Sequence, residues 1–557
     1  MHRIYQKYYQ AEFGPDGTLL GARFTYPENF NYAYDIADVL GRETPDQLAM
    51  LWRDDKGQEV DLTFGQIKTM SDQGANVLAQ VGLARGDVLM VSMRSFWEFW
   101  VIALAAHKLG VILAPVYHRL TADELIQRMT LSRAKAVICI REESTLGAVR
   151  QAAKTCGVPL RFTVRGEAPG FADFSALMAA APAAWTRRET LAADPMLLYF
   201  TSGTTGTPKG VLHDFAAPLS HIPSALYMQH GGPGMLQFAT GDTGWEVVCG
   251  SKFYGQWACG TCLFVYDYAR FQPRQALALM SRDRVTSIMV QPTVYRKFTD
   301  VGMDKYDLSA MVNYGVGGEK LTPDLAQLVY AQTGQVLYEG YAQSEAGLIA
   351  ANSQRLGRKE GSIGKPLPKY HVELLGEDGQ FAEPGQPGEI VLLAEEGGKK
   401  PVGLLMGYYR DPEATANLWD GSYFHTGDLA WRDEEGYLFY LGRADGVIKT
   451  KGYRVSPFEI EEKLSQHPAV YECLVAGIPD RDLGQKVTAF VRLHEGISPS
   501  DALAQDLMAY HNAACAGYKK IRAVTFVREL PRNVNGKLLR PKSPEDVAKL
   551  IHLPVQD

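Results

Sequence analysis

The chain has few cysteines for its size, no excess of positive charge and no long uninterrupted apolar run, and each shortage removes a class of protein. Seven cysteines in 557 residues are too few for the disulfide frameworks of small secreted domains, so a reducing, cytoplasmic setting is expected. A net charge of −6 provides no basic footprint, and nucleic acid is not an expected partner. The opening residues MHRIYQKYYQAEFG contain no apolar core of the kind a secretory leader needs. The most apolar stretch, residues 96–117, is interrupted by Glu98, His107 and Lys108. A buried helix followed by the strand VILAPVY is expected there, and stable membrane insertion is not. No HExxH, GxSxG or EF-hand loop occurs. Cys259 and Cys262 form a CxxC with no second pair to complete a zinc site. They lie in an apolar segment, 257–266, that reads as a strand, and small core residues are expected.

What is present is ordinary globular composition, 46% apolar and 22% charged, in a chain long enough for two or more domains. Apolar or β-branched runs at 88–93, 111–116, 136–140, 197–201, 288–291 and 312–316 alternate with longer amphipathic stretches. That alternation predicts α/β layers with mainly parallel sheets. From about Lys369 the pattern becomes short strands with tight turns. Asp378-Gly379 and the segment EPGQPGE (383–389) supply turn chemistry, and Glu434-Glu435-Gly436 turns into YLFYLGR. A small antiparallel subdomain is expected there. After Arg443 a further unit begins: Ser456 and Glu459 read as a capping box with Pro457 at the first helical position. The strand VTAFVRL, a helix around 503–511 and the strand AVTFV follow, making an α+β module of about 110 residues.

Residues 201–210, TSGTTGTPKG, concentrate hydroxyls, glycines and one lysine behind the apolar run LLYF. Glycines let the backbone approach an oligophosphate, hydroxyls and amides donate to its oxygens, and Lys209 adds a point charge. The loop departs from a Walker A sequence at Thr207-Pro208-Lys209, and standing alone it also reads as a Gly/Thr-rich surface turn. Downstream come GVGGEKL (315–321), YEGYAQSEAG (338–347), GYY (407–409), YFHTGDLAW (423–431), GRADGVIKTKGYR (442–454) and PRNVNGKLLR (531–540). In this order the motifs closely resemble the signature series of the adenylate-forming superfamily of acyl-CoA synthetases, peptide-synthetase adenylation domains and luciferases. The resemblance runs from about Leu51 to Arg540. DTGW (242–245) and VYRK (294–297) are most similar to its short- and medium-chain acyl-CoA synthetase branch.

The resemblance implies an α/β fold with a large N-terminal domain (1–444), made of two layered sheets and a small antiparallel subdomain. A small mobile α+β domain (445–557) would follow, with Asp445 as hinge. It implies ATP and coenzyme A as co-substrates and Mg²⁺ as cofactor. Thr201, Ser202, Gly203, Thr204, Thr205, Gly206 and Lys209 match the phosphate loop, and Glu345 matches the glutamate that helps hold Mg²⁺. Gly318, Glu319, Lys320, Glu339, Gly340 and Tyr341 match the adenine site, Tyr341 offering a stacking face. Ala342, Gln343 and Ser344 continue the nucleotide motif. Asp428 matches the ribose carboxylate, with Arg443 as its companion, and Lys537 matches the catalytic lysine of adenylation. Lys451, Gly452, Tyr453 and Arg454, together with Tyr518, Lys519 and Lys520, match stretches that meet coenzyme A.

Three departures bear on substrate and acceptor. The motif commonly written Tyr-Gly-Gln-Thr-Glu is here Tyr341-Ala342-Gln343-Ser344-Glu345. Acetate-specific relatives place tryptophan at the Ala342 position, so a wider acyl pocket is expected. Asp445-Gly446 stands in place of the usual acidic or amide pair, and Leu483 stands where medium-chain relatives often carry arginine. Beside Trp245 in the expected acyl wall stands Glu246, which either meets a local cation, recognises a polar or cationic substrate group, or points into solvent. The expected activity is carboxyl adenylation of a short- to medium-chain, branched or aromatic acid, then thioester formation with coenzyme A. Loading of a carrier-protein thiol and non-catalytic nucleotide binding are the alternatives.

Overall fold

The computed structural model describes residues 3–15, 19–202, 208–444, 446–450, 453–513, 515–532, 538–541 and 545–546. Among these residues the chain forms five sheets. Gly203, Thr204, Thr205, Gly206, Asp445, Lys451, Gly452 and Lys537 lie outside the described residues, and Ser202, Tyr453 and Arg454 are placed by their strands alone.

The first large sheet runs Gly407–Tyr408, Pro208–Asp214, Pro195–Ser202, Ile112–Val116, Val88–Ser92, Ala136–Cys139, Leu160–Thr163, Ala172–Asp173. It is parallel from Pro195–Ser202 onward and antiparallel at the other edge. Its central strands Val88–Ser92, Ile112–Val116 and Ala136–Cys139 are buried on both faces, so they read in sequence as nearly continuous apolar runs. The second large sheet has Asn313–Gly317, Ser287–Val290, Leu236–Ala239 and Cys262–Asp267 as a parallel centre. Tyr338–Gln343 joins it in parallel, and Gly347–Ala351 then folds back antiparallel. One apolar core joins the two sheets, filled by large buried side chains such as Trp52, Trp100 and Trp257.

Residues 96–117 are the buried helix Glu98–Leu109 and the strand Ile112–Val116, as their interruptions by charge predict. Each interrupting group has a partner. Arg165 forks onto Glu98 at 2.5 and 2.9 Å, and Lys108 meets Asp38 and Asp72. His107 shares a hydrogen bond with the Tyr254 hydroxyl at 2.8 Å. Gly110, at φ 75°, ends the helix in the left-handed conformation that glycine adopts without strain. No helix of the described residues is long and apolar enough to cross a membrane.

The antiparallel subdomain consists of Val372–Leu375, Pro387–Leu393, Tyr423–Arg432 and Leu438–Arg443. Beyond it, Ile448–Thr450, Tyr453–Val455, Val470–Asp480, Gly484–Leu493 and Ala523–Phe526 form a separate sheet with its own core. The helix Pro457–Ser465 starts with Pro457 in its first turn, but the expected capping box is absent. The Ser456 hydroxyl donates instead to the Leu441 carbonyl at 2.6 Å, so a tertiary acceptor outcompetes the local amide. The CxxC segment also differs from expectation. Tyr254–Ala258 is helical and only Cys262–Asp267 is strand. Cys259 is buried and Cys262 partly buried, both as free thiols, and no metal-binding cluster occurs among the described residues.

Candidate active site

The phosphate-loop motif sits on a hairpin. Strands Pro195–Ser202 and Pro208–Asp214 pair so that Thr201 lies opposite Lys209. The GYY motif completes this edge: Tyr408 pairs with Val211, and the Tyr409 amide donates to the Gly210 carbonyl at 2.6 Å. This pairing puts Lys209 over the Tyr408 ring, with Nζ 4.7 Å from its centroid. The Tyr408 hydroxyl donates in turn to Glu345 Oε1 at 3.0 Å. Three motifs separated by up to two hundred residues therefore form one contiguous chain, Lys209–Tyr408–Glu345. Burial and the Glu345 charge both push the Tyr408 phenol well above its ordinary range, so it remains a donor.

The YAQSE segment is held from the other side. Tyr338–Gln343 and Gly347–Ala351 slip in register between Tyr341 and Ala342, and such a bulge re-aims the side chains beside it. Ala342 is exposed whereas Tyr341 is buried. Tyr341 donates to Asp428 Oδ2 at 2.6 Å, Tyr440 donates to Asp428 Oδ1 at 2.8 Å, and the Gln343 amide also reaches Asp428. Asp428 faces Arg443 across the strand pair, with 3.8 Å between carboxylate and guanidinium. The residue expected to offer only a ring face thus also orients the carboxylate expected to meet the ribose.

The Gly318–Lys320 strap closes a third side. Gly318, at φ 85°, lies against the Trp245 ring, where a Cβ would stand 3.1 Å away. Glu339 is buried and accepts from the Leu321 amide at 3.1 Å, tying strand end to strap. Burial pushes its carboxyl up to about 7. Lys320 and Glu319 face the C-terminal sheet unit: Lys320 Nζ is 2.7 Å from Glu462, and Arg532 lies 3.5 Å from Glu319 and 2.5 Å from Glu472. Pro531 and Arg532 pair with Leu538 and Leu539, the two ends that bracket residues 533–537.

The chain matches the model of the AMP-binding enzyme over residues 38–409 and that of the AMP-binding enzyme C-terminal domain over 459–537. This chain belongs to the AMP-binding enzyme family. It is 34% identical to acyl-coenzyme A synthetase ACSM4, mitochondrial, of Homo sapiens, covering 92% of this chain and 90% of that protein. It is likewise 34% identical to acyl-coenzyme A synthetase ACSM5, mitochondrial, of Mus musculus, covering 93% and 90%. Among solved structures it resembles the anthranilate CoA ligase AuaEII in complex with anthranoyl-AMP. The TM-score is 0.82 at 25% identity, over 92% of this chain and 96% of that one.

Two expectations, one in each domain, are refined by the geometry. Lys519 is paired with Glu459 at 2.7 and 2.9 Å, so the Tyr518–Lys520 stretch presents less free positive charge than its sequence suggests. Glu246 is buried at 7% exposure rather than solvated, with Oε1 3.8 Å from His221 Nε2. The sequence reading missed His213, His221 and Lys369, which surround it. Only the closeness of His213 to the phosphate loop offered any signal.

Proposed function

We propose that this chain is an ATP-dependent acid–thiol ligase that joins a short- to medium-chain, branched or aromatic carboxylate to coenzyme A through an acyl adenylate. The observation that carries the reading is the convergence of Lys209–Tyr408–Glu345 with the Asp428 cluster, in an enzyme related along nearly its whole length to acyl-coenzyme A synthetases. The anthranilate CoA ligase among its structural neighbours supports the aromatic part of the substrate range.

In the first step a carboxylate oxygen bonds to the α-phosphorus and the bond to the β-phosphate breaks, releasing pyrophosphate. In the second, a thiol bonds to the acyl carbon, loses its proton, and AMP leaves. Two anions must meet in the first step, so neutralising charge is the main task. Lys209 with the 201–206 loop holds the leaving pyrophosphate, Asp428 with Arg443 holds the ribose, and Lys537 attends the forming bond. Glu345 would help hold Mg²⁺: it is a hard oxygen donor oriented by the Tyr408 hydroxyl. Bound there, the ion would supply positive charge to the reacting phosphates.

The proposal places the domain boundary at 444/445, with Asp445 as the hinge that turns residues 451–454 and 518–520 toward coenzyme A. Lys320–Glu462 and Arg532–Glu319 join the units. Such partly exposed pairs are worth about 0–1 kcal/mol each, so a turn that breaks them is inexpensive. A cytoplasmic location is part of the proposal and subcellular fractionation tests it; the two relatives are named mitochondrial.

Pyrophosphate release over a set of acids, with and without coenzyme A, tests the activity. Acid-dependent release with acyl-coenzyme A as product is expected. No release with any acid sinks the ligase reading, whereas acyl-AMP that coenzyme A cannot discharge points to a carrier-protein thiol. Ala342→Trp should fill the exposed side of the bulge and raise the ratio of acetate to hexanoate turnover by about 10- to 100-fold. An unchanged chain-length profile would mean that Ala342 does not line the acyl site.

A further inference from the structure

Behind Glu345 lies a small cavity whose polar lining plays no part in the two steps above. Tyr199, His213, His221, Glu246 and Gly347 contribute to its wall. His213 belongs to the strand that follows the phosphate loop, and Gly347 starts the strand two residues after Glu345. Glu246 opens the short helix Glu246–Ser251 directly after Trp245. Because the Trp245 ring lies against Gly318 of the nucleotide-side strap, adjacent residues serve the strap and the cavity.

The lining is biased toward acceptors. His213 Nε2 lies 2.7 Å from the Ser344 carbonyl; a carbonyl only accepts, so this nitrogen carries the proton. Burial lowers the His213 pKa to about 4, leaving a neutral ring whose Nδ1 is a bare acceptor, buried and without a partner. Among the described residues no donor hydrogen-bonds to the Glu246 carboxylate, and His221 stands off at 3.8 Å. Lys369 is buried close by. Its ammonium donates to the Ala346 carbonyl at 3.0 Å, and Nζ lies 3.5 Å from where a Cβ on Gly347 would stand. Burial pushes Glu246 up and Lys369 down, each to about 7. Each charge favours the other: the Lys369 charge acts to hold Glu246 ionised and the Glu246 charge to hold Lys369 protonated. The cluster therefore combines unmet acceptors with a resident cation, and unmet buried acceptors are costly.

We propose that this cavity is the far end of the acyl site and selects carboxylic acids bearing an uncharged hydrogen-bond donor, a hydroxyl or an aromatic amine, received by Glu246 and His213 Nδ1. The inference rests on the ligase reading above and names the substrate class within it. A site built to receive a donor discriminates more strongly than an apolar wall, because the parent acid leaves the acceptors unpaired. An alkylammonium would bring a charge that Lys369 already offsets.

The test uses the full-length enzyme and matched acids: benzoate against its hydroxy and amino isomers, hexanoate against 6-hydroxyhexanoate, and 4-(aminomethyl)benzoate as the cationic member. kcat/KM is read from acid-dependent pyrophosphate release. At least one hydroxy or amino acid is expected to exceed its parent about tenfold or more, and the ammonium acid to fall below both. Glu246→Gln should lower the ratio of substituted to parent acid at least about threefold, and Glu246→Leu should bring it to about one or less. Parent acids used as well as every substituted acid by the unaltered enzyme would overturn the inference, leaving the ligase reading intact and a resident water as the occupant. A donor preference that persists unchanged in Glu246→Gln overturns it as well. If no acid releases pyrophosphate, the ligase reading itself fails and the inference falls with it.

Discussion

Replacing Lys537 by alanine is expected to slow acyl-AMP formation about 10²- to 10³-fold while largely sparing thioester formation from supplied acyl-AMP. The magnitude is that of losing one preorganised group aimed at charge that develops in a transition state. In the proposed adenylation a carboxylate approaches an α-phosphate, and the role proposed for Lys537 is to offset the repulsion between them. In thioester formation the phosphate ester is already made and the attacking group is a thiol, so the same lysine has no anion pair to reconcile. Arg532, the last described residue before Lys537, lies 3.5 Å from Glu319 of the large domain and 2.5 Å from Glu472 of its own unit. The measurement is acid-dependent ATP–pyrophosphate exchange set against coenzyme A acylation from synthetic acyl-AMP. Equal loss of both would show that Lys537 serves a structural or common role.

The parts of this molecule legible in its sequence are those where local pattern and tertiary environment agree. The strands Val88–Ser92, Ala136–Cys139 and Ser287–Val290 lie within a residue or two of the expected runs, because a parallel strand covered on both faces must be apolar throughout. The phosphate hairpin and the Asp428–Arg443 pairing follow from motifs whose residues the strand register brings opposite each other. What the sequence did not disclose was decided by distant partners. Ser456 carries the right residue for a cap, yet its hydroxyl is taken by Leu441, fifteen positions earlier. Lys519 looks like free surface charge until Glu459 is found beside it. The Glu246, Lys369, His221 and His213 cluster brings together four separate segments, and no spacing rule predicts that the carboxylate beside Trp245 will share its burial with a lysine over a hundred residues away. Periodicity reports burial of apolar faces, and it is silent about buried charge that is paid for by another segment.

Asp428→Ala should cost both nucleotide affinity and stability, and the two losses can be separated. The carboxylate is 3% exposed and accepts from Tyr341 at 2.6 Å, from Tyr440 at 2.8 Å and from the Gln343 amide. Removing it strands the buried Tyr341 hydroxyl and the partly buried Tyr440 hydroxyl, and a buried hydroxyl left without an acceptor costs about 1–3 kcal/mol. A fall of several degrees in the melting temperature is therefore expected. If the same carboxylate receives the ribose, two charge-assisted hydrogen bonds are lost as well, at about 1.5–3 kcal/mol each. That corresponds to a fall in kcat/KM for ATP of about 10²-fold or more, since about 1.4 kcal/mol is tenfold. Asp428→Asn separates the contributions. It retains the shape and one acceptor oxygen, so Tyr341 or Tyr440 keeps its partner and much of the stability should return. The amide still lacks the second acceptor a ribose diol needs, so the ATP dependence should stay impaired by about tenfold. Melting curves and KM for ATP measured on the same two variants distinguish the outcomes. An Asn variant with lowered stability but an unaltered KM for ATP would assign Asp428 to holding the Tyr341–Tyr440 pair and exclude it from ribose recognition.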